Sequence, residues 1–145
     1  MITKEDIIHF MPRHYLTCSI VECPLHEHCL RWKTRDYVSE KEHIIMTVNP
    51  NHPVNGTEKC EYFRSDEKLT IAWGFVHLID NMPRSMGTAI RKELETIYGH
   101  TIYYEFRRGE RPIPPAMRER IASVCLKHGW TEAPVYDRFT EGYDW

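Results

Sequence analysis

Four cysteines constrain the fold of this 145-residue chain more than any other feature, because one shared metal ion would join distant segments. Cys18, Cys23 and Cys29 fall within twelve residues, and Cys60 follows a stretch rich in turn-forming residues. Zinc prefers four thiolate or imidazole ligands in a tetrahedron, and closed sites of this kind stabilise loop-rich units. The pattern therefore predicts that these four cysteines bind one structural metal ion, with zinc favoured.

The cysteine pattern also leaves other assignments open. A gap of four residues fits the usual zinc knuckle, whereas the gap of five before Cys29 stretches it. Iron–sulfur clusters also use four thiolates, and His14, His26 or His28 could replace a cysteine. Disulfide pairing and unrelated buried thiols are further alternatives. Cys125, on the apolar face of a predicted helix, is interpreted as a core thiol and not a ligand.

The rest of the sequence restricts the class of protein. A membrane span needs about 18 or more apolar residues in a row, and the chain has no such run. Acidic residues and histidines occupy the N-terminus, where a signal peptide needs an apolar region, so we expect a cytoplasmic protein with reduced thiols. The common hydrolase, metalloprotease and nucleotide-binding motifs are missing. We therefore predict no catalytic activity and no small-molecule substrate.

The N-terminal half carries signals for short elements only. Residues 3–10 are predicted to form a helix capped by Thr3, because an acidic residue follows the cap at the spacing of a capping box. Residues 25–32 are predicted to form a short helix that carries Cys29 inward. Helical periodicity is missing over 34–59, and short strands are predicted over 43–50 and 60–64.

The C-terminal half is predicted to be mainly helical. Residues 69–82 contain too many apolar side chains to lie along one face of a helix. The segment is therefore predicted to form a largely buried helix. Further helices are predicted over 86–98, ended by Gly99, and over 115–128, where a proline in the first turn is favourable. Residues 101–108 suit either a helix or a strand. The aromatic tail is predicted to pack back onto the body through Trp130, Val135, Tyr136, Phe139 and Tyr143.

These elements predict an α+β fold with two parts. A small, loop-rich, cysteine-rich metal-binding lobe is expected over residues 1–66. A helical lobe with an aromatic C-terminal tail, similar to a helix-turn-helix domain, is expected over residues 67–145. Composition changes character at residues 65–68, where acidic and basic side chains separate the two parts.

A basic segment suggests double-stranded DNA as a partner. Residues 84–128 carry nine basic and five acidic side chains, a net charge of +4. In a helix-turn-helix, the second helix enters the major groove and arginines contact phosphates. The candidate DNA-binding residues are His100, Thr101, Tyr104, Arg107, Arg108 and Arg111. These residues would make the protein a metal-stabilised DNA-binding regulator, although Glu105 and Glu110 count against this hypothesis. A non-catalytic protein-interaction module is the alternative, and an iron–sulfur redox or sensor protein is the third.

Two family resemblances accompany these predictions. Five features carry the first resemblance: the spaced cysteines with Cys23-Pro24 and Cys29-Leu30-Arg31, the Cys60–Phe63 segment, Ala72–Phe75, Tyr103–Glu110 and Gly129-Trp130. Together they are similar to the bacterial family called domain of unknown function 6078. That resemblance supplies no activity. It implies that the four cysteines belong together and that the Arg-Gly-Glu turn matters to the fold or to a partner. Residues 87–130 also resemble the helix-turn-helix of lambda-repressor-like and LacI-like domains.

Overall fold

The computed structural model describes residues 2–145, and these form two compact units. The first unit contains the residues up to Lys68 together with Tyr143–Trp145, and the second spans Leu69–Gly142. Six α-helices and two strands confirm the predicted α+β class within this described part. They are α1 Lys4–Phe10, α2 Leu30–Lys33, α3 Arg35–Lys41, β1 Leu69–Trp73, α4 Arg84–Tyr98, α5 His100–Arg107, α6 Pro115–Lys127 and β2 Arg138–Gly142.

The first unit consists of short helices joined by loops. The N-terminal helix is confirmed, and its capping box is complete: the Thr3 hydroxyl accepts from the Asp6 amide, and the Asp6 carboxylate accepts from the Thr3 amide. The C-terminal residues join this unit through Trp145, whose ring stands 5.4 Å from that of Tyr15 in an edge-on contact. The unit therefore includes both ends of the described chain.

Three predictions in the first unit are wrong. Residues 43–50 and 60–64 are not strands, and α3 lies in the stretch predicted to lack a helix. The apolar run at 44–46 is largely exposed, so its β-branched side chains have no sheet to pack against. Only an isolated bridge between Thr17 and Thr47 remains there. The helix α3 needs little periodicity because it buries just Val38.

The second unit contains the sheet, which corrects the prediction of a buried helix over residues 69–82. The strand β1 pairs antiparallel with β2, from Leu69 opposite Gly142 to Trp73 opposite Arg138. Gly74 follows β1 with a φ of +69°, a value that a helix does not tolerate. The apolar run therefore becomes a strand and a set of turns, because its partner strand is supplied by the distant tail.

The other two predicted helices of the second unit are confirmed, and the segment that suited either a helix or a strand is helical. The helix α4 ends at Gly99, α6 starts at Pro115, and the ambiguous residues 101–108 are mainly helical as α5. Their buried faces meet the turn after β1 in one apolar core. It contains Ala72, Phe75, Leu78, Met82, Ile90, Leu94, Tyr103, Phe106, Ile113, Ile121, Val124 and Cys125.

The aromatic tail behaves only partly as predicted. Trp130 and Tyr136 pack against the core of the second unit. Val135 and Phe139 are instead 58% and 53% exposed, because they lie on the outer side of the segment that leads into and forms β2. Tyr143 is buried within the first unit, where its hydroxyl lies 3.5 Å from the Asp6 carboxylate.

An ion network joins α4 to α6. Glu93 accepts hydrogen bonds from Lys127 Nζ at 2.8 Å and pairs with His128 Nε2 at 2.7 Å. These two bonds lower the pKa of the Glu93 carboxyl below its ordinary value. The network contributes stability only while the carboxyl is ionised.

We expect the Glu93→Gln variant to unfold at lower urea concentration than the wild type at neutral pH. The folded pKa of Glu93 is depressed, so its contribution is present above the unfolded pKa of about 4.3 and is lost as pH falls through the folded value. Urea unfolding at several pH values tests this. The difference should shrink at low pH, and Glu119→Gln, at an exposed position of α6, should show no comparable effect. A difference in the urea unfolding midpoint between Glu93→Gln and wild type that does not change with pH contradicts the prediction.

Candidate metal centre

Four cysteines from two distant segments line one pocket in the first unit. Cys18, Cys23 and Cys29 are buried, Cys60 is half-buried, and all four thiols are free of disulfide bonds. The walls between them are largely apolar. The other lining residues are Leu25, His26, Arg31, Trp32, Val48, Gly56, Tyr62 and Phe63.

Backbone hydrogen bonds fix the first segment around this pocket. The Cys18 amide donates to the Arg31 carbonyl at 3.0 Å. The His26 amide donates to the Cys23 carbonyl at 3.2 Å, and the Cys29 amide donates to the His26 carbonyl at 3.2 Å. The predicted continuous helix over residues 25–32 is therefore wrong: a 3-10 turn precedes α2, and Cys29 between them is extended. Cys29 is nevertheless directed into the interior, as predicted.

The second segment is held against the first by pairing beside Cys29. The Leu30 amide donates to the Arg64 carbonyl at 2.8 Å, and Cys29 forms an isolated antiparallel bridge with Ser65. Cys60 lies in a turn that starts at Thr57, since its amide donates to the Thr57 carbonyl at 3.1 Å. These contacts bring a cysteine from residues 57–63 to those of residues 18–29.

Burial in the pocket disfavours ionised thiols that have no positive charge nearby. Burial raises the pKa of the Cys18 thiol above its ordinary value, and negative charge on Cys29, Cys23 and Cys60 raises it further. Four thiolates in one small volume repel one another unless a positive charge lies among them. A divalent, thiophilic metal ion is the cation that this donor set suits.

The four cysteine side chains are not arranged as a complete set of metal ligands. Among residues 2–145, no group of three or more His, Cys, Asp or Glu side chains is positioned so that it could hold a metal ion. The four thiols nevertheless share one pocket.

His26 is the histidine of this region that lines the pocket. Its Nδ1 lies 2.6 Å from the Cys23 carbonyl, and its ring stands 4.9 Å from that of Trp32. His14 and His28, the other candidates to replace a cysteine, are exposed and do not line the pocket as described. Four thiols therefore remain the main donor set, with His26 as the nearest imidazole.

Sequence reasoning missed Arg31, which lines the same pocket and is only 8% exposed. Its Nε donates to the Tyr62 carbonyl at 2.7 Å, and its Nη1 donates to the Leu16 carbonyl at 2.8 Å. The guanidinium also stands 4.9 Å from the centre of the Tyr15 ring. Its position two residues after Cys29 was the only signal in the sequence.

The candidate DNA-binding residues lie on and just after α5 in the second unit. His100 and Thr101 are exposed in its first turn, and the ring of His100 stands 4.7 Å from that of Tyr104. Gly99 alone separates α4 from α5, whereas a helix-turn-helix usually has a turn of about three or four residues. Arg107 is half-buried at the end of the helix.

Two of the three arginines in this segment already have acidic partners. Arg108 pairs with Glu110 through bonds of 2.7 and 2.9 Å, and Arg111 pairs with Glu105. These pairs reduce the positive charge that the segment would offer to phosphates.

The comparison with known families covers the whole chain. The family model DUF6078, described as a family of unknown function, matches residues 1–145. The chain belongs to DUF6078. No curated protein and no solved structure matches it. Among residues 2–145 of this DUF6078 member, no helix is long and apolar enough to cross a membrane.

Two of the segments that carried the DUF6078 resemblance contact each other in the second unit. The Phe75 amide donates to the Arg107 carbonyl at 3.1 Å. A Cβ at Gly109 would stand 3.4 Å from the Gly74 amide nitrogen, so these two glycines let the backbones approach closely. The Arg-Gly-Glu turn therefore has a packing role in this DUF6078 chain.

Proposed function

We propose that the first unit holds one zinc ion in a closed site made by Cys18, Cys23, Cys29 and Cys60, and that this ion is structural. The observation that carries the proposal is the convergence of four free thiols on one pocket from segments about thirty residues apart. Four cysteines that line one pocket are the donor set of a closed zinc site. The protein is then a metal-stabilised, non-catalytic DUF6078 member.

The architecture of the first unit supports a structural role for the metal. Its helices have only four or seven residues, too few to be stable without tertiary support. Much of the unit is loop, so a modest apolar core must hold many irregular residues. A zinc site supplies folding free energy directly, because the unfolded chain has no preformed site.

The surroundings of the pocket support a closed site. Trp32 and Phe63 contribute apolar surface to the walls, and three of the four thiols are buried. Four thiolates would fill the tetrahedral coordination of zinc and leave no position for water or substrate. A catalytic zinc site keeps such a position, so the donor set favours structure over catalysis.

Metal analysis of the protein purified under reducing conditions tests the proposal. We expect about one zinc per chain, bound with no visible colour, since zinc has a filled d shell. Replacing zinc by cobalt should give the intense visible absorption of tetrahedral cobalt thiolate. Stoichiometric iron with sulfide and a brown colour would favour an iron–sulfur cluster instead. Protein that binds no metal, even after refolding with zinc, contradicts both assignments.

DNA binding and protein interaction stay predictions from the sequence. The ion pairs of Arg108 and Arg111 with glutamates weaken the electrostatic argument for DNA. A duplex titration at two salt concentrations measures whether any binding depends on phosphate contacts.

A further inference from the structure

We infer that Arg31 is the counter-charge of a dianionic metal centre in the first unit. The inference rests on the proposed four-thiolate site and specifies its charge. Four thiolates and one divalent cation leave a net charge of −2. Arg31 lines the same pocket as all four cysteines, and we assign its guanidinium the role of offsetting part of that charge.

A buried arginine without an acidic partner is the observation behind this inference. Arg31 is only 8% exposed, and no Asp or Glu within residues 2–145 forms a salt bridge with it. Arginine stays protonated in proteins. A buried charge is costly unless it is paired or coordinates a metal, and carbonyl bonds satisfy donors without cancelling charge. The Tyr15 ring faces the guanidinium at 4.9 Å, and ionised cysteines of the pocket that Arg31 lines would supply the negative charge that it lacks.

The hydrogen bonds of Arg31 place it between the ligand-bearing segments. It donates to the carbonyl of Leu16, two residues before Cys18, and to that of Tyr62, two residues after Cys60. A guanidinium has five N–H donors, so three remain beyond these two bonds. Those donors can bond thiolate sulfur, which stabilises the negative charge of the centre.

The test compares zinc affinity in Arg31→Gln and Arg31→Lys variants by competition with a chromogenic chelator. Glutamine keeps a hydrogen-bond donor and loses the charge, whereas lysine keeps the charge. Removing an outer-shell partner of a metal site typically weakens binding by about 10- to 100-fold, and we expect this for Arg31→Gln. Arg31→Lys should bind zinc within about threefold of wild type, since the charge is retained.

Arg35→Gln is the matched control. Arg35 lies in the same unit, 3.8 Å over the ring of Trp32, but it does not line the pocket and it pairs with Asp36. Its loss should leave zinc affinity within about twofold, because outer-shell effects require proximity to the ligands. Equal losses in Arg31→Gln and Arg35→Gln overturn the inference.

The Arg31→Gln substitution made in a Cys60→His variant tests charge separately from packing. Cys60→His replaces one thiolate by a neutral imidazole and reduces the centre to a charge of −1. The penalty of Arg31→Gln should then fall to about 3- to 10-fold, because the attraction is halved. An unchanged penalty overturns the counter-charge role. Should Arg31→Gln not fold, a tenfold or larger loss in Arg31→Lys overturns it, whereas wild-type protein without metal overturns the proposed site itself.

Discussion

Cys29→Ala is expected to weaken zinc binding by about 70- to 900-fold and to destabilise the first unit, whereas Cys125→Ala should leave zinc affinity intact. Cys29 lines the pocket from a position where its backbone bridges Ser65, and its neighbour Leu30 donates to Arg64. Removal of this thiol takes away a ligand from the point where the two cysteine-bearing segments meet. The segments then lose both the metal and the pairing that the metal supports.

The size of this effect follows from the energetics of zinc binding. Structural zinc contributes an apparent binding free energy of about 10–16 kcal/mol in small zinc domains. An equal share for each of four thiolates is about 2.5–4 kcal/mol, which corresponds to a loss of affinity of about 70- to 900-fold. Whole domains are stable by only about 5–15 kcal/mol, so such a loss leaves little stability in a loop-rich unit.

Zinc affinity, from competition with a chelator, and amide hydrogen exchange measure the two parts of this prediction. The protected amides of Cys18 and Leu30 report on the first unit, since each donates to a carbonyl across the pocket region. Both should exchange much faster in Cys29→Ala and in wild type treated with a chelator. Unchanged exchange after complete metal removal contradicts a structural role for the metal.

Cys125→Ala is the matched control because it removes the same atom from another buried cysteine. Cys125 is 1% exposed in the core of the second unit, and burial raises the pKa of its thiol. Its loss leaves a small cavity there but removes no proposed ligand. Zinc content that falls equally in both variants would show that the metal is not held by the four clustered cysteines.

Local signals in the sequence were sufficient to predict most helix ends. The capping side chain of Thr3, the positive φ at Gly99 and the proline that starts α6 each act within one turn of the residue concerned. The strand β1 could not be predicted in this way. Its partner β2 lies about sixty residues later, so its hydrogen bonds depend on a pairing that no local window contains.

The residues of the candidate site also differ in whether the sequence could predict them. Thiol chemistry and spacing pointed to the four cysteines, because few residue types suit a soft metal. Arg31 could not be found, since arginine is rarely buried and nothing local requires it to be. Its burial depends on two carbonyls, of Leu16 and Tyr62, that only the folded chain brings together.

Gly74→Ala is expected to destabilise the second unit by about 3 kcal/mol, well beyond an ordinary glycine substitution. Two costs add at this position. The backbone has a φ of +69°, and a side chain there costs about 1–2 kcal/mol in strain. An added Cβ would also stand 2.2 Å from Oδ2 and 3.0 Å from Cγ of Asp137. The carboxylate must therefore move away from the Val76 amide, whose hydrogen bond it accepts at 3.3 Å.

Gly99→Ala separates these two costs in an equilibrium unfolding experiment. Gly99 has a φ of +83° and a ψ of +151°, a region essentially restricted to glycine, and nothing stands within 4 Å of an added Cβ, so only strain of about 1–3 kcal/mol applies. Asp137→Ala in the Gly74→Ala background removes the two closest atoms. The double variant should then be more stable than the sum of the single effects predicts, because the residues are in contact. Simple additivity in the double variant would show that the contact with Asp137 has no energetic role.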